Sequence, residues 1–173
     1  MTSRRTGRSR HQPATYRVMF VCMGNICRSP MAEAVFRHDL REAGLHSSVV
    51  VDSAGTGSWH VGDPADRRAM AVLADHGYLL DHVAKQFHPS MFAERDLVVA
   101  MDSDNLRDLR RLAPDPATAK SLRLVREFDA DAESFDVPDP YYGGREGFVE
   151  VLRQLQAASS GLVRHVQGVA VPA

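Results

Sequence analysis

Apolar residues gather into three near-continuous runs, Arg17–Cys22, Val49–Ser53 and Leu97–Met101, with a weaker one over Ser121–Glu127. Unbroken apolar runs of strand length mark strands buried on both faces, as in a parallel sheet. Between them the apolar positions take up helical spacing. Ser29–Ala43 reads as a helix stopped by Gly44. A second helix opens at Asp63-Pro64, turns Ala69, Met70, Val72 and Leu73 to one face, and stops at Gly77. Pro89–Arg95 reads as a short helix, Ser103–Leu112 as a longer one, and Glu146–His165 as the C-terminal helix. Ser29, Asp63 and Ser103 stand where N-caps are expected. Strands alternating with helices of these lengths predict βαβ units with right-handed crossovers, hence an α/β, doubly wound sheet. Ligands bind such sheets at the carboxyl ends of the strands.

Length and composition suit one globular domain: 173 residues, 44% apolar and 25% charged. The domain is expected over residues 16–166, between a disordered basic tail (1–15) and a short C-terminal tail (167–173). Net charge is −1, but residues 1–17 carry five arginines and no acid, which leaves 16 basic against 22 acidic residues, about −6, in the rest. A body of that sign argues against nucleic acid as a partner. The arginine-rich tail reads either as a solvated extension or as a contact for an acidic partner or membrane surface. No stretch approaches the ~18 apolar residues of a membrane span, so no membrane insertion is expected. Arg4-Arg5 is followed by no apolar segment of the kind an export signal needs, and cytoplasmic residence is the expectation. Two cysteines make no disulfide framework and suit a reducing compartment.

Both cysteines fall in Cys22-Met23-Gly24-Asn25-Ile26-Cys27-Arg28-Ser29-Pro30, directly after the first apolar run. A strand running into such a loop and then a helix builds a cup of phosphate size. Backbone N–H groups of a loop entering a helix N-terminus favour an anion, and the helix dipole adds partial positive charge. Arg28 can close the ring with a planar, always-charged fork that matches two phosphate oxygens. The same field favours Cys22 as thiolate. A thiolate beneath a bound phosphoryl group is a nucleophile in position.

The other notable stretch is Asp129–Gly147, a long non-helical connection with four aspartates, two prolines and three glycines. Connections that long in a compact domain are usually functional. Breaking an aryl phosphate ester needs a proton for the leaving oxygen, because a phenoxide (pKa ~10) departs poorly without one. Asp139, held extended by Pro140, could supply it. Asp139 stands between Pro138 and Pro140, with Asp136 two residues before Pro138, so from spacing alone Asp139 reads equally as a turn residue.

Val21-Cys22 through Ser29-Pro30-Met31-Ala32-Glu33, taken together with Asp139-Pro140-Tyr141-Tyr142-Gly143, closely resembles the low-molecular-weight protein tyrosine phosphatase family, in its bacterial branch. Asp52-Ser53-Ala54-Gly55-Thr56, Ser58-Trp59-His60-Val61-Gly62, His76-Gly77 and Met101-Asp102 with Asn105-Leu106 are similar to that family too. The resemblance covers roughly Tyr16 to Arg164. It implies a four-stranded parallel sheet with helices on both faces, flavodoxin-like in outline, and hydrolysis of phosphotyrosine through a phosphocysteine on Cys22.

It further implies Asp139 as general acid and Arg28 as the phosphate fork. Asn25 would hold the loop in a left-handed turn, with Ser53 bonded to it and His76 behind Ser53. Ser29 would donate to the Cys22 sulfur, and Trp59, Tyr141 and Tyr142 would wall the pocket. From its place beside Gly77 alone, His76 reads as a C-terminal cap of its helix, and the blander reading of Trp59 is a cover for the core. An arginine common in the family near Lys85 is absent. The chemistry calls for no metal and no cofactor, since loop N–H groups and Arg28 would neutralise the phosphoryl oxygens.

Phosphotyrosine proteins are the implied partners: a cognate bacterial tyrosine kinase of polysaccharide production or, in some pathogens, host proteins. Cys27, five residues from Cys22, is expected to close a reversible disulfide with it on mild oxidation, the alternative being that it only packs beneath the loop. Tyr141 and Tyr142 could themselves accept phosphate as a switch. Three alternatives stay open. An arsenate reductase of the same fold would need thiols beyond Cys27. A protein-arginine phosphatase usually has threonine where Ile26 stands. A non-catalytic phosphopeptide-binding module would be expected to lose Cys22 or Asp139.

Overall fold

The computed structural model describes residues 15–170, and the basic tail expected over 1–15 lies almost wholly outside that range. Four parallel strands, β1 (Tyr16–Cys22), β2 (Val49–Gly55), β3 (Leu97–Ala100) and β4 (Leu122–Leu124), form one sheet in the order β2-β1-β3-β4. The helices are α1 (Arg28–Glu42), α2 (Arg67–Asp75), α3 (Ser103–Leu112), the short α4 (Pro116–Ala119) and α5 (Arg145–Ala170), with 3₁₀ turns at Pro89–Glu94 and Val125–Phe128.

The strands are apolar throughout because both faces are covered. In β1, Val18, Phe20 and Cys22 enter one core with α1, α2 and α5, while Met19 and Val21 enter a second core with Leu106 and Leu109 of α3. β3 alternates the same way, Leu97 and Val99 to the first core, Val98 and Ala100 to the second. Successive side chains of a strand point to opposite faces, so this alternation is what a doubly wound sheet requires. Phe20 meets Phe36 of α1 edge to face, with ring centroids 5.7 Å apart.

Several boundaries depart from the sequence-based expectations. α1 begins at Arg28 with Cys27 in the cap position and no side-chain cap, so Ser29 is not the cap. α2 begins at Arg67, capped by Asp66 rather than Asp63; Asp66 accepts from the Arg68 N–H at 2.8 Å. α3 is capped by Asp102, not Ser103, through the Asn105 N–H. The fourth apolar run is only partly strand, since Val125 turns into a 3₁₀ helix. α5 continues past His165 to Ala170, which carries helix into the segment expected as a C-terminal tail. Among the described residues no helix is long and apolar enough to cross a membrane.

Candidate active site

β1 and β2 end side by side, Cys22 paired with Gly55, at the carboxyl edge of the sheet. The chain beyond Cys22 curls back on itself before entering α1. That turn needs a left-handed residue, and Asn25 supplies it at φ 56°, the one described non-glycine residue with positive φ. The loop also presses on β2: a Cβ on Gly55 would stand 2.7 Å from the Met23 carbonyl oxygen and 3.1 Å from the Asn25 nitrogen. Only glycine admits that approach.

Four of the loop's carbonyls are bonded to backbone N–H groups. Cys22 O accepts from Thr56 N–H (2.9 Å), Met23 O from Gly57 N–H (2.9 Å), Ile26 O from Asp66 N–H (2.8 Å) and Cys27 O from Met31 N–H (3.2 Å). Its N–H groups are left over. Asn25 N–H approaches the Cys22 sulfur at 3.3 Å, whereas those of Gly24, Ile26, Cys27 and Arg28 take no acceptor among the described residues. Unspent donors at a helix N-terminus are an anion site.

Asn25 is held by four separate groups. Its amide donates to Ser29 Oγ (2.8 Å) and Ser53 Oγ (3.0 Å), its Oδ1 accepts from Lys85 N–H (3.0 Å), and its carbonyl oxygen lies 2.7 Å from His82 Nε2. Ser53 in turn donates to Glu33 Oε2 at 2.6 Å, and Glu33 Oε1 pairs with Arg37 at 2.8 Å. Asn25, Ser29, Glu33 and Ser53 are all buried, so the bonds among these four lie out of water. The Ser29 hydroxyl sits 3.0 Å from the Cys22 sulfur.

His76 does not take the place behind Ser53 that the resemblance assigns to it. Its Nδ1 lies 2.8 Å from the Val72 carbonyl oxygen of its own helix, the end-capping arrangement its position beside Gly77 suggests. Glu33 stands behind Ser53 instead, and His82 braces Asn25 from the other side. Neither stood out in the sequence. The only available signal was Glu33 at the end of the loop motif, on a helical face that otherwise turns inward.

Arg28 is buried and reaches three acceptors. Its Nη1 donates to Asp102 Oδ2 (2.5 Å) and to the Val137 carbonyl oxygen (3.0 Å), and its Nη2 lies 3.6 Å from Asp139 Oδ2. Burial works against its charge, but Cys22, Asp102 and Asp139 together outweigh burial and hold its pKa above the ordinary arginine value. Asp139 is partly exposed, and its Oδ1 accepts from Tyr141 N–H at 3.0 Å, so it makes an Asp-turn as well as facing the arginine. Asp136, the aspartate two residues before Pro138, binds the Ser103 N–H and hydroxyl at the start of α3 and stays outside the cavity.

These groups surround a cavity of about 430 Å³. Cys22, Arg28 and the loop residues Met23, Gly24, Ile26 and Cys27 form one side; Asp139, Tyr141 and Tyr142 face them, with Trp59 and His60 on the rim. The Trp59 ring packs on Gly57, where a Cβ would come within 1.8 Å of it, and Trp59 remains 74% exposed. It therefore covers no core. Tyr142 is 92% exposed and meets Tyr141 edge to face at 5.0 Å. Cys27 is a buried part of the cavity wall at the start of α1; burial, then Asp66, Cys22 and Asp139, push its thiol pKa far above the usual value. Both cysteines are free thiols.

Fold and cavity together define a class: a doubly wound α/β protein with an anion cup at the carboxyl edge of its sheet and a thiol in the cup. Comparison with known proteins gives the family. The family model described as low molecular weight phosphotyrosine protein phosphatase matches residues 17–170. The chain is 59% identical over 155 residues to a low molecular weight protein-tyrosine-phosphatase of Streptomyces coelicolor, covering 88% of this chain and 94% of that one. Its fold matches a protein tyrosine phosphatase crystal structure from Entamoeba histolytica with a TM-score of 0.87 at 35% identity, over 91% of this chain and all of the other. It also matches a Drosophila arginine phosphatase, at a TM-score of 0.81 and 32% identity, over 87% of this chain and 97% of that one. The chain belongs to the low molecular weight phosphotyrosine protein phosphatase family; it is an enzyme, and phosphoproteins are its class of substrate.

Proposed function

We propose that Cys22, Arg28 and Asp139 carry the hydrolysis of phosphotyrosine in this chain. One observation carries the reading: a buried arginine joins the cysteine loop to Asp139 across a single cavity, 3.6 Å from the carboxylate. Phosphate bound by the unspent loop N–H groups and the Arg28 fork would rest against the Cys22 sulfur. The thiolate attacks phosphorus, the S–P bond forms and the bond to the phenolic oxygen breaks, while the Asp139 proton passes to that oxygen. Water then attacks phosphorus, giving its proton to the Asp139 carboxylate, and the S–P bond breaks to return thiolate and inorganic phosphate. Ser29, 3.0 Å from the sulfur, donates to the departing thiolate in this second step. Each backbone or side-chain donor aimed at the phosphoryl oxygens is worth ~3–4 kcal/mol in the transition state.

Ile26 favours tyrosine over arginine as the phosphorylated residue. It is nearly buried and gives the cavity an apolar branched side chain where a guanidinium would prefer a polar one. A cognate tyrosine kinase, or host proteins, would be the substrates, and two free thiols suit the reducing cytoplasm. The test is turnover of aryl phosphates by the wild type, Cys22→Ser and Asp139→Ala. Cys22→Ser should lose turnover and keep vanadate binding. Asp139→Ala should lose far more kcat/KM on phenyl phosphate than on 4-nitrophenyl phosphate, whose phenol leaves without help. Equal losses on the two substrates would remove Asp139 from the acid role, and faster turnover of phosphoarginine than of phosphotyrosine peptides would overturn the substrate.

A further inference from the structure

Arg68, at the start of α2, lines no part of the cavity, yet it touches both halves of the site. Its guanidinium is gripped by Asp66: Nε donates to Oδ1 at 3.1 Å and Nη2 to Oδ2 at 2.9 Å. Asp66 is itself fastened to the cysteine loop, its N–H donating to the Ile26 carbonyl oxygen at 2.8 Å. The other guanidinium nitrogen, Nη1, reaches across to the Gly143 carbonyl oxygen at 3.1 Å. The same guanidinium plane lies 5.5 Å from the Tyr141 ring centre and 4.7 Å from that of Phe148 in α5. Each guanidinium nitrogen is thus committed, two to Asp66 and one to the far loop.

The far loop needs such an anchor. Upstream of Asp139 the chain is tied down by Val137, which is buried, donates to Met101 O at 2.9 Å and accepts from Arg28. Downstream, Tyr142, Gly143 and Gly144 are exposed, and the two glycines add backbone freedom. Between Asp139 and the first turn of α5 the backbone makes two short turn bonds, Gly143 N–H to Pro140 O at 3.1 Å and Gly147 N–H to Gly144 O at 3.2 Å, neither of which reaches the cysteine loop. Tyr141 N–H is bonded to the Asp139 carboxylate at 3.0 Å, so a shift of the Tyr141–Gly143 stretch carries the carboxyl with it.

We infer that Arg68 is a positioning residue for Asp139, a strut that fixes the acid-bearing loop at a set distance from the cysteine loop. The inference rests on the proposed acid role of Asp139 and extends it to a residue that touches no reacting atom. A planar fork is required, because three nitrogens act in two directions while the face of the group packs on rings; an ammonium cannot do this. In kcat/KM, which ends with transfer of the phosphoryl group to Cys22, the strut matters only when a proton has to be delivered to a poor leaving group.

The experiment compares kcat/KM for a series of aryl phosphates of graded leaving-group acidity in the wild type, Arg68→Ala, Arg68→Lys and Asp139→Ala. Arg68→Ala should lose about tenfold to a hundredfold on phenyl phosphate, the scale of a displaced general acid. On 4-nitrophenyl phosphate it should lose less than about threefold, and vanadate affinity should stay within about twofold. Arg68→Lys, which keeps charge and fold but not the fork, should show the same leaving-group bias. In the Asp139→Ala background, Arg68→Ala should cost almost nothing further, since the acid it positions is gone. Equal losses on both phosphates, no loss on either, or additive losses in the double variant would overturn the strut. If Asp139→Ala itself shows no leaving-group bias, the acid assignment fails first; a bias there without one in Arg68→Ala defeats the strut alone.

Discussion

The Asn25 amide donates to the Ser53 hydroxyl at 3.0 Å, which ties the left-handed turn of the cysteine loop to the end of β2. Asn25 thus combines two demands on one residue: a positive φ, which favours glycine or asparagine, and a buried amide with partners on both sides. Asn25→Gly should keep the turn and lose the amide; Asn25→Ala should lose both. The alanine variant is expected to be destabilised by about 2–4 kcal/mol and the glycine variant by less, with phosphate binding weakened in both. Denaturant unfolding together with calorimetric phosphate titration checks this. Equal stability of the two variants would mean that the backbone strain contributes nothing.

Asp102 serves two neighbours at once, capping α3 through Oδ1 and pairing with Arg28 through Oδ2. Asparagine caps helices as well as aspartate, so Asp102→Asn should hold thermal stability close to wild type, whereas Asp102→Ala should lose about 1–2 kcal/mol. Both should lower kcat/KM for aryl phosphates, because Arg28 then loses its closest carboxylate and keeps the Val137 carbonyl and the more distant Asp139. Unchanged kinetics in both variants would show that Asp102 is a cap and nothing more.

Cys27 is held as the neutral thiol by burial and by the surrounding acids Asp66 and Asp139. At neutral pH iodoacetamide should therefore label Cys22 and spare Cys27 in the native protein, and label both after denaturation. Peptide mapping of the alkylated enzyme decides. Prior labelling of Cys27 would contradict the burial argument.

His165, on α5 against the Phe128 ring, has its pKa lowered by burial and then by Arg123. The folded protein thus binds this proton less readily than the unfolded chain. Stability is complete above the unfolded histidine value of about 6.5 and falls as pH drops below it. Arg123→Gln should reduce that slope. Thermal unfolding between neutral and mildly acidic pH would show it; stability rising on acidification over this range would reverse the sign and contradict the account.

The strands and the cysteine loop were legible because each is written locally: apolar runs for strands buried on both faces, and a cysteine, an arginine and a helix start within one short stretch. What sequence could not give were the partners that meet only in the fold. Ser29 looks like an N-cap in sequence, but its hydroxyl faces the Cys22 sulfur and the Asn25 amide, so α1 starts without a side-chain cap. Asp63 precedes a proline and looks like a helix start, yet the chain stays irregular until Asp66. His76 and His82 lie in the same connection after α2. Only the path of residues 82–87 along the end of β2, where Gly55 bridges Gln86, brings His82 rather than His76 to the loop. Asp139 read equally as a turn residue or an acid; in the fold its Oδ1 makes the turn bond to Tyr141 N–H and its Oδ2 faces Arg28.

A rapid-quench experiment with an aryl phosphate bears most directly on the claim that the Cys22 sulfur takes the phosphoryl group. Intact-mass and peptide analysis of the quenched enzyme should find a transient phosphoryl adduct on the Cys22 peptide, absent from Cys22→Ser and longer-lived in Asp139→Ala. Turnover surviving in Cys22→Ser, or an adduct on any other residue, would contradict it.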